Sequence, residues 1–255
     1  MIKSISVVGL GYIGLPTAAM FASHEVKVNG LDVNQNIIDT INRGEVHIVE
    51  PDLEMMVKSA VKNGFLKASS TAVNSDAYLI AVPTPFKNQD SQIPEPDISF
   101  IKKAINLIAP VLKKGEIIIL ESTSPVGTTE KISEWLSDLR QDLSFPHISE
   151  SMPDINIAYC PERVLPGSII KELVSNDRII GGLTDSCSKK AIDLYKIFVE
   201  GSCKVTNART AEMVKLTENS SRDVQIAFAN ELSIICDLID INVWELIALS
   251  NLHPR

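Results

Sequence analysis

The chain has 255 residues, of which 45% are hydrophobic and 22% are charged, so it can form a packed core and is neither disordered nor fibrous. Its 24 basic and 32 acidic residues give a net charge of −8, which provides no electrostatic basis for non-specific binding to nucleic acid or to an anionic membrane. We therefore expect neither partner. The length predicts one large domain or two modest ones.

The cysteines and histidines indicate neither a disulfide framework nor a metal site. The four cysteines lie far apart without a C-x-x-C pair, and we interpret them as reduced thiols of a cytoplasmic protein: Cys160, Cys187, Cys203 and Cys236. The histidines have neither metal-ligand nor triad spacing, so no metal is predicted. The N-terminal apolar run resembles a signal peptide, but its glycines and Pro16 weaken that interpretation.

The first 200 or so residues alternate short β-branched apolar runs with longer amphipathic segments, which is typical of a parallel sheet with crossover helices. The predicted strands are Ser4 to Val8, Lys27 to Leu31, Ala77 to Ala81, Ile117 to Glu121, Ile155 to Tyr159, Arg178 to Gly181 and Cys203 to Val205. The predicted helices are Gly14 to Ser23, Gln35 to Arg43, Asp52 to Asn63, Ile98 to Leu112, Thr128 to Leu139 and Ser186 to Phe198. This pattern predicts an α/β, Rossmann-type, doubly wound parallel sheet over residues 1–207.

The pattern changes after Asn207. Residues Thr210 to Ile239 contain no Gly or Pro and keep a helical apolar pattern, which predicts a helix on the order of 45 Å long. A second helical segment, Val243 to Ser250, follows. We expect residues 208–255 to begin an all-α dimerisation domain. Because the chain stops one helical hairpin beyond a complete domain, we also expect it to be an N-terminal fragment.

A glycine-rich motif at the first strand–helix junction predicts a dinucleotide site. It runs over Gly9, Leu10, Gly11, Tyr12, Ile13 and Gly14. The first glycine permits a tight turn, the second admits the pyrophosphate, and the third allows close helix packing. Asp32 ends the next predicted strand, where it would bind the adenosine ribose and repel a 2′-phosphate. The predicted cofactor is NAD rather than NADP.

Four longer motifs resemble one enzyme family. They are Val82-Pro83-Thr84-Pro85, Glu121 to Thr128 (ESTSPVGT), Cys160 to Gly167 (CPERVLPG) and Lys215 to Asn219 (KLTEN). Together they resemble the UDP-glucose/GDP-mannose dehydrogenase family over essentially the whole chain, and the words IVEPDL and NVWELI are most similar to the branch that acts on UDP-N-acetyl-D-mannosamine. The resemblance implies oxidation of a sugar C6 alcohol to a uronate with two NAD, for bacterial surface polysaccharide, by a homodimer.

The resemblance also implies roles for residues of the first domain. It places Thr84 beside the cofactor, and Thr123 beside the cofactor and, with Glu162, around a hydrolytic water. A carboxylate facing a hydroxyl could deprotonate that water. On the residues alone, the favoured interpretation of Glu162 is a surface ion pair with Arg163 or a carboxylate at a helix start, and that of Thr123 is a hydroxyl that caps the turn at Pro125.

Further roles follow from the resemblance for the second domain and the substrate. Lys215 and Asn219 are four residues apart, so on a helix they share a face that is either solvated or aimed at one oxygen. The resemblance favours the stabilisation of a developing oxyanion. It also places the loop of Leu165 to Gly167 against the substrate, has Asn230 stabilise the helical domain, and makes Arg255 a residue that reaches the partner subunit's substrate.

One departure from the family leaves alternatives open. The family's nucleophilic cysteine follows the position at which this chain ends, and Cys160 is expected to be a core residue instead. The alternatives are a cofactor-binding and dimerisation module without turnover, and a 3-hydroxyacid dehydrogenase, which the CPERVLPG motif disfavours. A reading frame that continues past Arg255 into a glycine-rich segment with a cysteine would favour the enzyme fragment.

Overall fold

The computed structural model describes residues 2–87, 93–149 and 152–253. The strands are β1 Ser4–Val8, β2 Lys27–Leu31, β3 Leu66–Ser69, β4 Ala77–Ile80, β5 Ile117–Leu120, β6 Asn156–Tyr159, β7 Arg178–Gly182 and β8 Cys203–Asn207. The helices are α1 Gly14–Ser23, α2 Gln35–Asn42, α3 Leu53–Lys62, α4 Ser99–Ile108, α5 Thr128–Leu139, α6 Ile169–Ser175, α7 Asp185–Tyr195, α8 Ala208–Leu238 and α9 Val243–Ser250. Two compact units result, Met1–Met213 and Val214–Arg255.

The strands form one sheet in the order β3-β2-β1-β4-β5-β6-β7-β8. This confirms the predicted α/β Rossmann-type fold, since the strand order reverses at β1 and β4 as in doubly wound sheets. The prediction of a wholly parallel sheet is wrong at one pair, because β7 runs antiparallel to β6, with Tyr159 opposite Gly181. As a result β7 begins at the edge of the sheet where β6 ends.

Two elements were not predicted from the sequence, β3 and α6. The four residues of β3 include only two buried apolar side chains, Leu66 and Ala68, which is too short an alternation to stand out. The helix α6 has seven residues, which is just under two turns. This is too short for a helical apolar pattern to stand out in the sequence. The other boundaries differ from the predicted ones by a few residues, as helix ends usually do.

The apolar core of the first unit lies on both faces of the sheet. In β4 the alternation is plain: Ala77 and Leu79 belong to one buried cluster, whereas Tyr78 and Ile80 belong to the other. A central strand covered on both faces reads as a continuous apolar run, which is why β1, β4, β5 and β6 were predicted correctly.

A buried glutamate fixes the start of α8 within the first unit. Glu212 is fully buried and accepts hydrogen bonds from the Gly127 N–H at 2.6 Å and the Thr129 N–H at 2.8 Å. The Thr129 hydroxyl donates to the same carboxylate at 2.6 Å. The first N–H groups of a helix lack partners within it, and Gly127, which precedes α5, has no side chain to cap them. Glu212 supplies this cap for α5.

The second unit consists of the remainder of α8 and the helix α9, which Asn242 caps by accepting the Trp244 N–H at 3.0 Å. No helix within the described ranges is both long enough and apolar enough to cross a bilayer.

Candidate cofactor and catalytic site

The glycine-rich loop follows β1 at the point where the strand order reverses. Gly9 has a φ of +92°, and its N–H donates to the Leu31 carbonyl at 2.8 Å. A Cβ atom at Gly9 would lie 2.6 Å from the Ala81 carbonyl oxygen, and one at Gly14 would lie 1.8 Å from the Gly9 carbonyl oxygen. Both glycines are therefore required by the packing of β1, β4 and α1.

Gly11 differs from the other two glycines of the motif. A Cβ atom there would meet nothing within 4 Å, and the neighbouring Tyr12 is 53% exposed while Ile13 is half-buried. The open space lies over the N-terminus of α1, whose free N–H groups suit a phosphate. The loop thus fits the pyrophosphate of a dinucleotide, with Gly11 leaving room for it.

Two alanine substitutions are expected to separate these roles. Gly14→Ala should destabilise the fold by about 1–3 kcal/mol, because its Cβ would overlap the loop backbone. Gly11→Ala should leave the free energy of unfolding within about 0.5 kcal/mol of that of the unchanged chain. It should weaken NAD binding by about tenfold or more, because the added methyl group would occupy the space left for the pyrophosphate. Urea unfolding and calorimetry check this. Equal NAD affinity for Gly11→Ala and the unchanged chain would contradict the placement of the pyrophosphate.

Asp32, at the end of β2, has a structural role that the sequence did not reveal. Its Oδ2 accepts the Leu10 N–H at 3.0 Å, and its Oδ1 accepts the Asn34 N–H at 2.9 Å. The carboxylate therefore holds the glycine-rich loop against the turn into α2. Its predicted contact with the adenosine ribose is compatible with this, since each carboxylate oxygen has a second lone pair; it stays a prediction.

Three predicted site residues follow consecutive neighbouring strands: Thr84 follows β4, Thr123 follows β5 and Glu162 follows β6. Because these strands are parallel, all three residues lie at the carboxyl edge of the sheet, where open α/β sheets bind their ligands. The Thr84 hydroxyl donates to the Thr123 carbonyl at 2.6 Å, which joins the two loops.

Glu162 is buried, with 4% of its surface exposed, so the alternative of a surface ion pair is wrong. Its Oε2 lies 2.5 Å from Nη1 of Arg178, which is also buried, and its Oε1 accepts the Arg163 N–H at 2.7 Å. Arg178 begins β7, so the reversed strand direction brings its charge to the carboxyl edge. A charged residue at the start of an apolar strand was the available signal for this partner.

The carboxylates of two glutamates that lie outside the Leu165 loop in sequence accept hydrogen bonds from its backbone. Buried Glu50 accepts the Gly167 N–H at 2.8 Å and the Ile169 N–H at 2.6 Å, and Glu172 accepts the Leu165 N–H at 2.9 Å. The Leu165 side chain is 54% exposed. It is therefore presented to solvent on a fixed backbone, as a substrate contact requires. The role of Glu50 was not predicted.

Behind Glu162 lies a second buried carboxyl group, Glu121, which follows β5. The Tyr195 hydroxyl donates to its Oε1 at 2.6 Å. Burial, and next the charge of Glu162, raise the pKa of Glu121 to about 7. The Arg178 guanidinium lies over the Tyr195 ring, 5.0 Å from its centroid. A carboxyl group that ends an all-apolar strand was a signal that the sequence analysis did not use.

The cysteines are free thiols, and Cys160 is fully buried, which confirms its interpretation as a core residue. Burial raises its pKa to about 12, so it is not a thiolate at neutral pH. Within the described ranges no three His, Cys, Asp or Glu residues meet in a group that could hold a metal ion.

The remaining predicted residues lie in the second unit. Lys215 and Asn219 are half-buried and one turn apart on α8, so they share a helix face, and the Asn219 Oδ1 accepts from Arg222 at 3.0 Å. Asn230 is exposed on the same helix. Arg255 lies outside the described residues.

A Rossmann-type sheet with an open glycine-rich loop at its switch point defines this as a dinucleotide-binding domain of the dehydrogenase type. The family model described as the UDP-glucose/GDP-mannose dehydrogenase family, NAD binding domain, matches residues 3–199, and the model of the family's central domain matches residues 209–255. The chain therefore belongs to the UDP-glucose/GDP-mannose dehydrogenase family, and its cofactor is NAD.

Individual relatives are similar over nearly the whole chain. The UDP-N-acetyl-D-mannosamine dehydrogenase of Escherichia coli K12 is 64% identical over 99% of this chain and 59% of its own length. The NDP-N-acetyl-D-galactosaminuronic acid dehydrogenase of Ralstonia nicotianae is 60% identical over 99% of this chain and 59% of its own length. The solved UDP-N-acetyl-mannosamine dehydrogenase of Staphylococcus aureus is 46% identical with a TM-score of 0.87, over 99% of this chain and 59% of that one. This chain thus spans about three fifths of the length of these relatives.

Proposed function

We propose that this chain contributes the cofactor site and the hydrolytic base of an NAD-dependent dehydrogenase that oxidises the C6 alcohol of UDP-N-acetyl-D-mannosamine to the uronic acid. The observation that carries the proposal is the buried Glu162 carboxylate at the carboxyl edge of the sheet, on the strand next to that of Thr123. In this proposal the product serves bacterial surface polysaccharide synthesis. The free thiols of the chain support a reducing, cytoplasmic location.

Each group of residues has a chemical task in this proposal. When bound, NAD would supply the acceptor for the hydride of the sugar carbon. The open loop at Gly11 receives its pyrophosphate and Asp32 its ribose, while Thr84 and Thr123 line the crevice beside it. Lys215 and Asn219 donate hydrogen bonds to the substrate oxygen as negative charge develops on it.

Glu162 acts in the hydrolytic half of the reaction. Its carboxylate accepts a proton from a water molecule that attacks the acyl intermediate, and the Thr123 hydroxyl orients that water. The resemblance assigns capture of the aldehyde to a cysteine that is not among these 255 residues. In this proposal the exposed Leu165 contacts the substrate, and Arg255 reaches the substrate that the partner subunit binds.

The identity of the sugar is the most specific part of the proposal. The relatives named for UDP-N-acetyl-D-mannosamine support it, and the 60% identical relative named for the galactosaminuronic acid suggests the competing sugar. The solved 3-hydroxyisobutyrate dehydrogenase of Mycobacterium tuberculosis is 15% identical with a TM-score of 0.64, a likeness that shows the fold alone and does not support the 3-hydroxyacid alternative. Comparing kcat/KM for UDP-N-acetylmannosamine and UDP-N-acetylgalactosamine, in the chain extended over the length of its relatives, decides between the two sugars.

The proposed base is tested by Glu162→Gln in the chain extended over the length of its relatives. We expect a burst of NADH, then a steady rate lowered by roughly a hundredfold, because the amide cannot take a proton from water. Rapid-mixing absorbance measures the burst, and mass spectrometry of the protein detects the accumulated acyl adduct. Glu134→Gln, at an exposed carboxylate on α5, is the control.

An unchanged steady rate without an adduct would remove Glu162 from this role. The 255 residues alone are expected to form no uronate. If they did form it, the assignment of aldehyde capture to a cysteine outside them would be wrong.

We further propose that α8 mediates a homodimer. Val224, Phe228 and Ile235 follow helical spacing along it and are 67%, 63% and 49% exposed, and Leu232 on the same stripe is half-buried. Such a stripe is typical of a helix that packs against a partner.

Sedimentation at micromolar concentration tests this proposal. We expect a dimer for the unchanged chain and a shift toward monomer for Phe228→Asp, because the buried apolar face would then contain a charge. The matched control is Gln225→Asp, at an exposed polar position of α8. A strict monomer for the unchanged chain would contradict the proposal.

A further inference from the structure

One buried guanidinium, that of Arg178, pairs with the buried Glu162 and lies near a second buried carboxyl group, Glu121, at the carboxyl edge of the sheet. Arg178 is 2% exposed, Glu162 is 4% exposed and Glu121 is 3% exposed. Ionising both carboxyl groups would leave one negative charge in this cluster without a positive partner. Because such a charge is costly in a protein interior, the two glutamates are expected to differ in protonation state.

The hydrogen-bond donors are divided unequally between the two glutamates. Glu162 receives a guanidinium N–H of Arg178 on one oxygen and the Arg163 N–H on the other. Glu121 receives only a neutral donor, the Tyr195 hydroxyl, on Oε1. Within the described residues its buried Oε2 has no hydrogen-bond partner. An ionised carboxylate would leave this bare oxygen charged, whereas a protonated one would not.

The remaining donors of Arg178 do not change this division. Its Nη2 donates to the Leu173 carbonyl at 3.2 Å. The Arg178 Nε, also buried, has no partner among the residues that the structure describes. The guanidinium is held over the Tyr195 ring. Tyr195 therefore contacts both Glu121 and Arg178, and the three side chains form one support behind Glu162.

We propose that Glu121 is a positioning residue for Glu162. Glu121 stays protonated, so the single positive charge of Arg178 acts on the carboxylate of Glu162 alone. The inference rests on the proposed function only in that Glu162 is the base of hydrolysis. When Glu121 ionises, it competes for Arg178, and Glu162 loses part of the contact that orients it.

The electrostatics of the cluster agree with this geometry. Burial and the charge of Glu162 raise the pKa of Glu121, while the Tyr195 hydrogen bond and Arg178 oppose the rise. Cys160, whose pKa burial raises, is the other titratable group near this cluster. The ionisation of Glu121 is therefore governed by its burial and by Glu162, Tyr195 and Arg178.

Infrared spectroscopy of the 255-residue chain tests the protonation state directly. At about pH 6, where an ordinary glutamate is ionised, we expect a carbonyl band of a protonated carboxyl group. The band should be lost in Glu121→Gln and retained in Glu50→Gln, a matched control at a buried glutamate with two backbone donors. Absence of the band from the unchanged chain, or its persistence in Glu121→Gln, would overturn the inference.

Tyr195→Phe provides a second variant that does not remove the carboxyl group. Removing the hydroxyl takes away a hydrogen bond that lowers the pKa of Glu121, so the midpoint at which the band disappears should move to higher pH. An unmoved midpoint would overturn the inference even if Glu121→Gln fails to fold.

The positioning role is tested by the pH profile of acyl-enzyme hydrolysis in the chain extended over the length of its relatives. We expect the rate of the unchanged enzyme to fall as Glu121 ionises, and Glu121→Gln to lose this fall. A slow Glu162→Gln together with a Glu121→Gln profile that still falls would overturn this inference alone. Equal hydrolysis by Glu162→Gln and the unchanged enzyme would overturn the proposed function.

Discussion

Replacing Arg178 with methionine is expected to lower the free energy of unfolding by about 3 to 5 kcal/mol, because it removes the guanidinium charge that faces the buried carboxylate of Glu162. The substitution also removes the hydrogen bond to the Leu173 carbonyl and the contact with the Tyr195 ring. Urea unfolding of the 255-residue chain, followed by circular dichroism, measures the change.

Two controls separate the loss of the partner from the loss of an arginine. Arg43→Met breaks an exposed pair with Glu45 and should change stability little, because solvent screens such a pair. The double variant Arg178→Met with Glu162→Met should be considerably more stable than Arg178→Met alone, since no unpaired charge is left inside. If Arg178→Met cost no more than Arg43→Met, the description of a buried ion pair would be wrong.

Glu121→Gln is expected to change how stability depends on pH. The pKa of Glu121 is raised from 4.5 to about 7 in the folded chain, so the folded state binds the proton more tightly than the unfolded state. The stabilisation is fully present below pH 4.5 and is lost as the pH rises through about 7. A shift of this size corresponds to about 3 kcal/mol, which the unchanged chain should lose relative to Glu121→Gln.

The measurement is the free energy of unfolding in urea at a series of pH values between about 5 and 8. The difference between the unchanged chain and Glu121→Gln isolates the one group, since other titrating groups are common to both. Glu134→Gln, at an exposed position, should give a curve parallel to that of the unchanged chain. A parallel curve for Glu121→Gln would contradict the raised pKa.

The parts of the fold that the sequence predicted are those set by local patterns. The glycine-rich motif specifies a turn and a helix start within a few residues, and the central strands are continuous apolar runs because both of their faces are covered. The direction of β7 was not predictable in this way. A short apolar run such as Arg178–Gly182 fits either direction, and the choice depends on its partner Tyr159 far away in sequence.

The candidate site divides along the same line. Gly11, Thr84, Thr123 and Glu162 were found from motifs, and the structure places them at one edge of one sheet. Their supports were not found, and several of these contacts join segments far apart in the chain. Glu50, for example, binds the backbone of Gly167, 117 residues later. A local sequence motif can identify a functional residue, but it does not identify the distant residue that positions it.

The reversed direction of β7 also affects how the segment between β6 and β7, which contains Leu165, can vary in length. Parallel neighbours must be joined by a crossover that returns the chain to the opposite edge, whereas antiparallel neighbours can be joined at one edge. The segment between β6 and β7 starts and ends at the carboxyl edge, so its length is not set by the need to traverse the sheet. Insertions and deletions around Leu165 can therefore change the shape of this loop while β6, β7 and the Glu162–Arg178 pair stay in register. Under the proposed function, this freedom would let one scaffold accommodate several nucleotide sugars.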